Sequence, residues 1–286
     1  LLFGYVGTPT SKEAIPVAEK AGIPYIAAFT GAELLRTPFR RYVVNFRASY
    51  YQETEKIVEH LVTDLGIKKI AVFRQDDSYG EAGRDGVIKA LEKRKLQLTA
   101  EGKYKRNTIQ IQEGFNSIDS TSPEAVVMVG AYKPCAEFMK KVKAEKKNWK
   151  IINISFVGAS ALAALAGDSA ENTIVSQVVP SPWNDSIPIV AEYQKNLKKF
   201  EKNAEFDFIS LESYAAAKML TKVISSIEKP ITSEKFIAAA EKLSKFEIDG
   251  LPLSLSPSNH QASNQVYFTK ISDKKFIQIN DFKSLK

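Results

Sequence analysis

Cysteine and histidine are nearly absent from the chain. Cys135 is the only cysteine among 286 residues, which excludes a disulfide within the chain. With His60 and His260 as the only histidines, a Cys/His zinc site is not expected either. The cysteine count leaves the compartment open. Long apolar runs are missing too: none approaches the roughly 18 residues that span a bilayer, and mean hydropathy is −0.20. Catalytic signatures are missing as well. The sequence holds no G-x-S-x-G elbow, Walker loop, H-E-x-x-H or C-x-x-C. An initiator Met and a charged-then-apolar leader are lacking, and the opening Leu1-Leu2-Phe3-Gly4 leads to the expectation that an upstream signal has been removed.

What is present is ordinary globular composition. Hydrophobic residues make up 44% and charged residues 26%, which excludes a disordered chain. The length suits one large domain or two lobes. Lys and Arg number 40 against 33 Asp and Glu, a net +7. Much of that excess is lysine spread along helical stretches, such as Lys140, Lys141, Lys143, Lys146 and Lys147. It describes a solvated helix face, and no nucleic-acid motif accompanies it.

Short apolar runs recur, each followed by a helical pattern. Ile23–Phe29, Lys69–Phe73, Ala125–Val129, Ile151–Phe156 and Ile174–Val179 predict buried strands of a parallel sheet. Glu81–Lys93, Pro134–Glu145 and Ser160–Leu165 predict intervening helices, the alternation of a doubly wound α/β fold. Pro188–Phe200, Ile209–Ile227 and Ser233–Leu243 predict three successive helices. Val266–Lys270 and Lys275–Ile279 then predict a hairpin turning through Ile271-Ser272-Asp273-Lys274.

Candidate catalytic groups are few. Asp76 and Asp77 follow a strand, where a metal or acid–base role is conceivable, but Asp77 or Ser78 serves equally as a helix cap. His260 has no nucleophile near it in the chain, and Cys135 is flanked by an apolar helix. Gly80, Gly83 and Gly86 repeat every third residue, yet the G-x-G that a dinucleotide site needs directly after a strand is missing. The informative pattern is instead polar and aromatic residues at the carboxyl ends of strands, where open α/β sheets bind ligands. Gly4-Tyr5-Val6-Gly7-Thr8-Pro9-Thr10-Ser11 offers hydroxyls and N–H groups at a helix start, a seat for a carboxylate or other anion. Phe29-Thr30-Gly31-Ala32, Asp77-Ser78-Tyr79-Gly80, Gly130-Ala131-Tyr132 and Ser155-Phe156-Val157-Gly158 continue the series. Together they suit a small-molecule pocket with few formal charges.

These segments, with Arg47-Ala48-Ser49-Tyr50, Leu211-Glu212-Ser213-Tyr214 and Ser256-Pro257-Ser258-Asn259-His260-Gln261, fall in an order that resembles the type I periplasmic substrate-binding proteins of ABC transporters. The closest branch is that of the leucine/isoleucine/valine-binding proteins. The resemblance implies an α/β, two-lobed fold, each lobe a mostly parallel sheet flanked by helices, joined by three hinge crossings. Lobe I is expected over 1–48 and 181–248, lobe II over 49–180 and 249–286. It further implies an extracytoplasmic or periplasmic monomer, with an oligomer left open, that traps a small molecule in an interlobe cleft by hinge closure. An ABC permease would be the membrane partner, with no nucleic acid, no cofactor and no enzyme activity. A ligand-sensing receptor or regulatory domain of the same fold is the alternative, and an enzyme using Asp76, Asp77 or His260 the remote one.

Position by position, the resemblance assigns Thr8, with Thr10 nearby, to the ligand carboxylate, and Thr30 and Gly31 to the second loop. Gly31 stands where the family commonly has a threonine. Tyr79 and Tyr132 match the tyrosines of the second lobe, while Tyr5 and Tyr50 suit packing as well as a site. Ser155 stands where amino-acid binders often place an acid against the ligand's ammonium group. A serine beside Phe156 cannot neutralise that charge, so a carboxylate without an amino group, or an aromatic acid stacking on Phe29, Tyr79, Tyr132 or Phe156, fits better. The resemblance also matches Leu1–Val6 to the third strand of lobe I. The first two strands would then be missing, leaving an apolar sheet edge, through fragmentation, a truncated product or completion by a partner.

Overall fold

The computed structural model describes residues 1–285. In chain order the strands are β1 (Leu2–Phe3), β2 (Tyr25–Ile26), β3 (Val43–Val44), β4 (Ile70–Gln75), β5 (Ala100–Tyr104), β6 (Ala125–Val129), β7 (Lys150–Asn153), β8 (Ile174–Gln177), β9 (Phe246–Ile248), β10 (Leu251–Leu253), β11 (Tyr267–Ser272) and β12 (Lys275–Ile279). The helices are α1 (Thr8–Lys20), α2 (Tyr50–Thr63), α3 (Ser78–Glu92), α4 (Gln112–Asp119), α5 (Tyr132–Ala144), α6 (Ala159–Ala166), α7 (Pro188–Phe200), α8 (Phe208–Ser225) and α9 (Ser233–Glu241). They divide between two compact units, Leu1–Ser49 with Val178–Gln265 and Tyr50–Gln177 with Val266–Lys286, so the chain passes between units three times.

Unit 2 is built on a seven-stranded sheet of order β12-β11-β8-β7-β6-β4-β5. From β5 to β8 every pairing is parallel, and β11 and β12 add an antiparallel edge. The interior strands β4 and β6 are buried along their whole length, as expected of Val/Ile-rich strands covered by helices on both faces. The recurring glycines of α3 face this core. A Cβ at Gly80 would lie 1.9 Å from the Gln75 carbonyl oxygen, at Gly83 2.5 Å from Val129, and at Gly86 2.4 Å from the Thr54 hydroxyl. Their three-residue spacing is therefore a close-packing line that seats α3 against β4, β6 and α2.

Unit 1 holds the parallel sheet β1-β2-β3 and the β9–β10 hairpin. Asp207 caps α8 by accepting the Ile209 N–H at 2.7 Å, and Thr232 caps α9 by accepting from Lys235 at 3.2 Å. Leu211, Ala215, Met219 and Val223 bury the apolar stripe of α8. Residues 249–265, assigned from sequence to lobe II, lie in this unit. The hairpin holds them there, and so do the Asn45 N–H donating to the His260 carbonyl at 2.7 Å and Arg36 Nε donating to Gln261 Oε1 at 2.6 Å.

Some strands are shorter than the apolar runs suggested. Ile23–Phe29 yields only β2, because Pro24 lacks an N–H and Ala27 turns to φ +50°. Ile151–Phe156 ends at Asn153, and Ser155–Val157 forms a 3-10 turn. Among the described residues, no helix is long and apolar enough to cross a membrane.

Candidate functional site

In unit 1 the loops that follow β1 and β2 run side by side. Val6 bridges Phe29, the Phe29 N–H donates to the Tyr5 carbonyl at 2.7 Å, and the Gly7 N–H donates to the Phe29 carbonyl at 3.1 Å. This pairing brings the Thr8 and Thr30 hydroxyls within 2.7 Å of each other, both fully buried. Gly7 precedes α1 at φ +95°, a conformation L side chains rarely adopt, and no side chain caps the helix. Pro9 has no N–H to offer, and the Ser11 N–H turns back to the Gly7 carbonyl. The α1 dipole thus points a positive end at the paired hydroxyls. Phe29 lies under the Arg47 guanidinium at 4.9 Å, and Arg47, fully buried, is 3.6 Å from Glu212. Gly31 is buried beside Thr30, whereas Thr10 is exposed. Tyr5 packs on Tyr25 with ring centroids 5.1 Å apart.

In unit 2 the carboxyl ends of the strands gather an aromatic cluster. Tyr79 is buried between Tyr50, at 5.6 Å, and Phe156, at 4.5 Å between centroids. Its hydroxyl donates to the Gly130 carbonyl at 3.4 Å, and burial pushes its pKa well above the usual tyrosine value. Tyr132 opens α5 two residues beyond Gly130 and is exposed. Ser155 donates its hydroxyl to Glu53 at 3.0 Å and its N–H to the same carboxylate at 2.9 Å. Ser176 donates to that carboxylate at 2.6 Å.

The family model for periplasmic binding proteins matches residues 1–275. A solved structure of a possible leucine/isoleucine/valine-binding protein from Rhodopirellula baltica is 37% identical, with a TM-score of 0.92 over 96% of this chain and 76% of that one. The chain belongs to the periplasmic binding protein family. A substrate-binding periplasmic protein from Ralstonia solanacearum shares the fold at 24% identity and TM-score 0.88, over 96% of this chain and 79% of that one. A branched-chain amino acid ABC transporter protein from Thermus thermophilus, solved with bound valine, does so at 17% and 0.85, over 98% and 77%. No curated protein sequence matches the chain significantly. The fold is accordingly the two-lobed type I arrangement, and the family's role is solute binding.

The other candidate groups have local roles within that binding fold. Asp77 caps α3, accepting the Tyr79 and Gly80 N–H groups at 3.0 and 3.3 Å. Asp76 lies 3.3 Å from Arg74 and 3.6 Å from Lys103. His260 faces Glu241 at 3.2 Å and sets its ring edge-on against Phe39. Cys135 is buried, and burial pushes its thiol pKa up, away from the reactive thiolate. Among the described residues, no group of three or more His, Cys, Asp or Glu is placed to hold a metal ion.

Sequence reasoning missed Glu53, and it read Arg47 only as part of the Arg47-Ala48-Ser49-Tyr50 segment, without its burial beside Phe29 and Glu212. Glu53 sits in the first turn of an amphipathic helix, where an acid is unremarkable, and only the fold reveals that it is buried against Ser155. A carboxylate therefore stands directly behind the serine that the sequence suggested was without one.

Proposed function

We propose that this chain is an extracytoplasmic solute-binding protein that captures a small carboxylate-bearing molecule, an amino acid or an aromatic or aliphatic acid, and delivers it to an ABC-type importer. The observation that carries the reading is the Thr8–Thr30 hydroxyl pair, buried at the uncapped start of α1. In a buried place such hydroxyls and helix N–H groups favour an anion with acceptor oxygens. Thr8 would donate through side chain and backbone, with Thr30 and Gly31 on the neighbouring loop. Tyr79, Tyr132, Ser155 and Phe156 are the unit 2 residues assigned to the body of the ligand, and Phe29 supplies an aromatic face from unit 1.

The 37% identical Rhodopirellula protein, described as a possible leucine/isoleucine/valine-binding protein, supports an amino acid or a molecule of that size. Binding energy in this reading does no chemistry. It shifts an open–closed equilibrium through the three chain crossings. Thr8→Val keeps the side-chain volume and removes one hydroxyl. Isothermal titration with the best ligand should show affinity weakened roughly 10- to 150-fold, the effect of about 1.5–3 kcal/mol for a hydrogen bond to a charged group. Unchanged affinity would remove the carboxylate from this loop.

A further inference from the structure

Glu53 occupies an unusual place in unit 2. It is fully buried in the first turn of α2, four residues past the crossing at Ser49–Tyr50. Its Oε2 accepts the Ser176 hydroxyl at 2.6 Å, and Ser176 is the last residue but one before the chain leaves unit 2 at Gln177–Val178. The same Oε2 accepts the Ser155 N–H at 2.9 Å, and Oε1 accepts the Ser155 hydroxyl at 3.0 Å. Ser155 opens the 3-10 turn that carries Phe156 onto Tyr79, which in turn packs on Tyr50. One carboxylate thus ties together the unit 2 roots of two crossings and the turn bearing two candidate ligand residues.

We propose that Glu53 is a positioning residue that locks this turn to both crossing roots, so that a displacement of Ser155–Val157 is transmitted to the segments that must bend on closure. The chemistry suits a lock better than a packing role. A carboxylate can accept several hydrogen bonds at once, and bonds to a charged acceptor are roughly twice as strong as neutral ones. Burying it is costly unless those donors are held in place, so the donors and the elements bearing them are fixed together. With its proton committed to Glu53, Ser155 can meet a ligand only as an acceptor. That the turn touches ligand rests on the proposed function; the lock itself does not.

The test is hydrogen exchange on the ligand-free chain. Glu53→Ala removes the acceptor for the Ser155 N–H, the Ser155 hydroxyl and the Ser176 hydroxyl. Exchange should then accelerate about ten-fold in the peptides covering 153–158 and 174–178, while those covering 100–119 keep their rates. Glu53→Gln should restore protection, because its carbonyl oxygen can still accept the Ser155 N–H and the Ser176 hydroxyl while its amide donates to Ser155 Oγ. Uniform acceleration across unit 2, acceleration in only one of the two segments, or no change would overturn the proposal. If Glu53→Ala does not fold, Ser176→Ala cuts the β8 tie to Glu53, together with the long 3.5 Å contact from the Ser176 hydroxyl to the Asn153 carbonyl, and leaves both Ser155 bonds to Glu53 in place. It should then accelerate 174–178 and leave 153–158 protected, and the reverse pattern would overturn the proposal. Because no ligand is added, a negative result leaves solute binding standing, and a failed ligand search leaves this proposal standing.

Discussion

Gly83→Ala tests whether the glycine line of α3 seats the helix that carries Tyr79. An added Cβ would lie 2.5 Å from Val129 Cγ1, 2.7 Å from Cγ2 and 3.1 Å from Cβ. That is about an ångström inside ordinary carbon–carbon contact. Val129 is fully buried in a central parallel strand, so it cannot swing away into solvent. Either α3 lifts from the sheet or Val129 leaves its rotamer, and two contacts this short put the cost in the upper part of the overpacking range, about 2–3 kcal/mol. The better helix propensity of alanine returns about 1 kcal/mol. The expected outcome in urea denaturation is a net loss of about 1–2 kcal/mol with an unchanged slope. Val129→Ala alone should cost about 2 kcal/mol through lost burial and a cavity. The double variant removes both colliding methyl groups, so it should be more stable than the sum of the singles by about 0.5–3 kcal/mol. Additive effects, or a Gly83→Ala variant as stable as the parent, would refute the reasoning.

Three further outcomes follow from buried groups. Asn153 is fully buried with no protein partner for either amide atom, so Asn153→Leu should stabilise the chain by about 1–3 kcal/mol in thermal or urea melts; destabilisation by both Asn153→Leu and the smaller Asn153→Ala would contradict an unpaired amide. The Asp64 carboxyl is held below its usual range chiefly by the Phe282 N–H, against a desolvation cost, with His60 assisting. A lowered folded pKa gives stability that is full above the unfolded value and is lost as pH falls through the folded one, so the cost of Asp64→Asn at pH 7 should begin to shrink below about pH 4 and keep shrinking with further acid; a cost that stays constant or grows on acidification below about pH 4 would contradict this. Cys135, buried with its pKa raised, should resist a thiol reagent in the native state and react fully in denaturant; rapid native labelling would contradict that burial.

The α/β class was legible because β4, β6, β7 and β8 are short Val/Ile runs between turn residues, and burial on both faces demands that composition. The edge strand β5, Ala100-Glu101-Gly102-Lys103-Tyr104, was not legible, because an edge position tolerates charge and glycine. The meeting of Thr8 with Thr30 was foreshadowed by both lying just after strands. Their hydroxyl bond depends on pairing between loops 22 residues apart, which no local pattern carries. The spacing of Gly80, Gly83 and Gly86 was visible, but its meaning lay in Gln75, Val129 and Thr54 on three other elements. Glu53 was invisible for the same reason, since its partners Ser155 and Ser176 are more than a hundred residues away in the chain.

Solute capture is tested most directly by a thermal-shift screen of the purified chain against amino acids, aliphatic carboxylates and aromatic acids. A ligand that binds only the folded form adds about 2.7 kcal/mol of stability at 100 times its dissociation constant. The midpoint should rise with at least one carboxylate, and should not rise when the same molecule is supplied as its primary amide. A cooperative melt whose midpoint is moved by none of these acids, or moved equally by acid and amide, would contradict carboxylate capture.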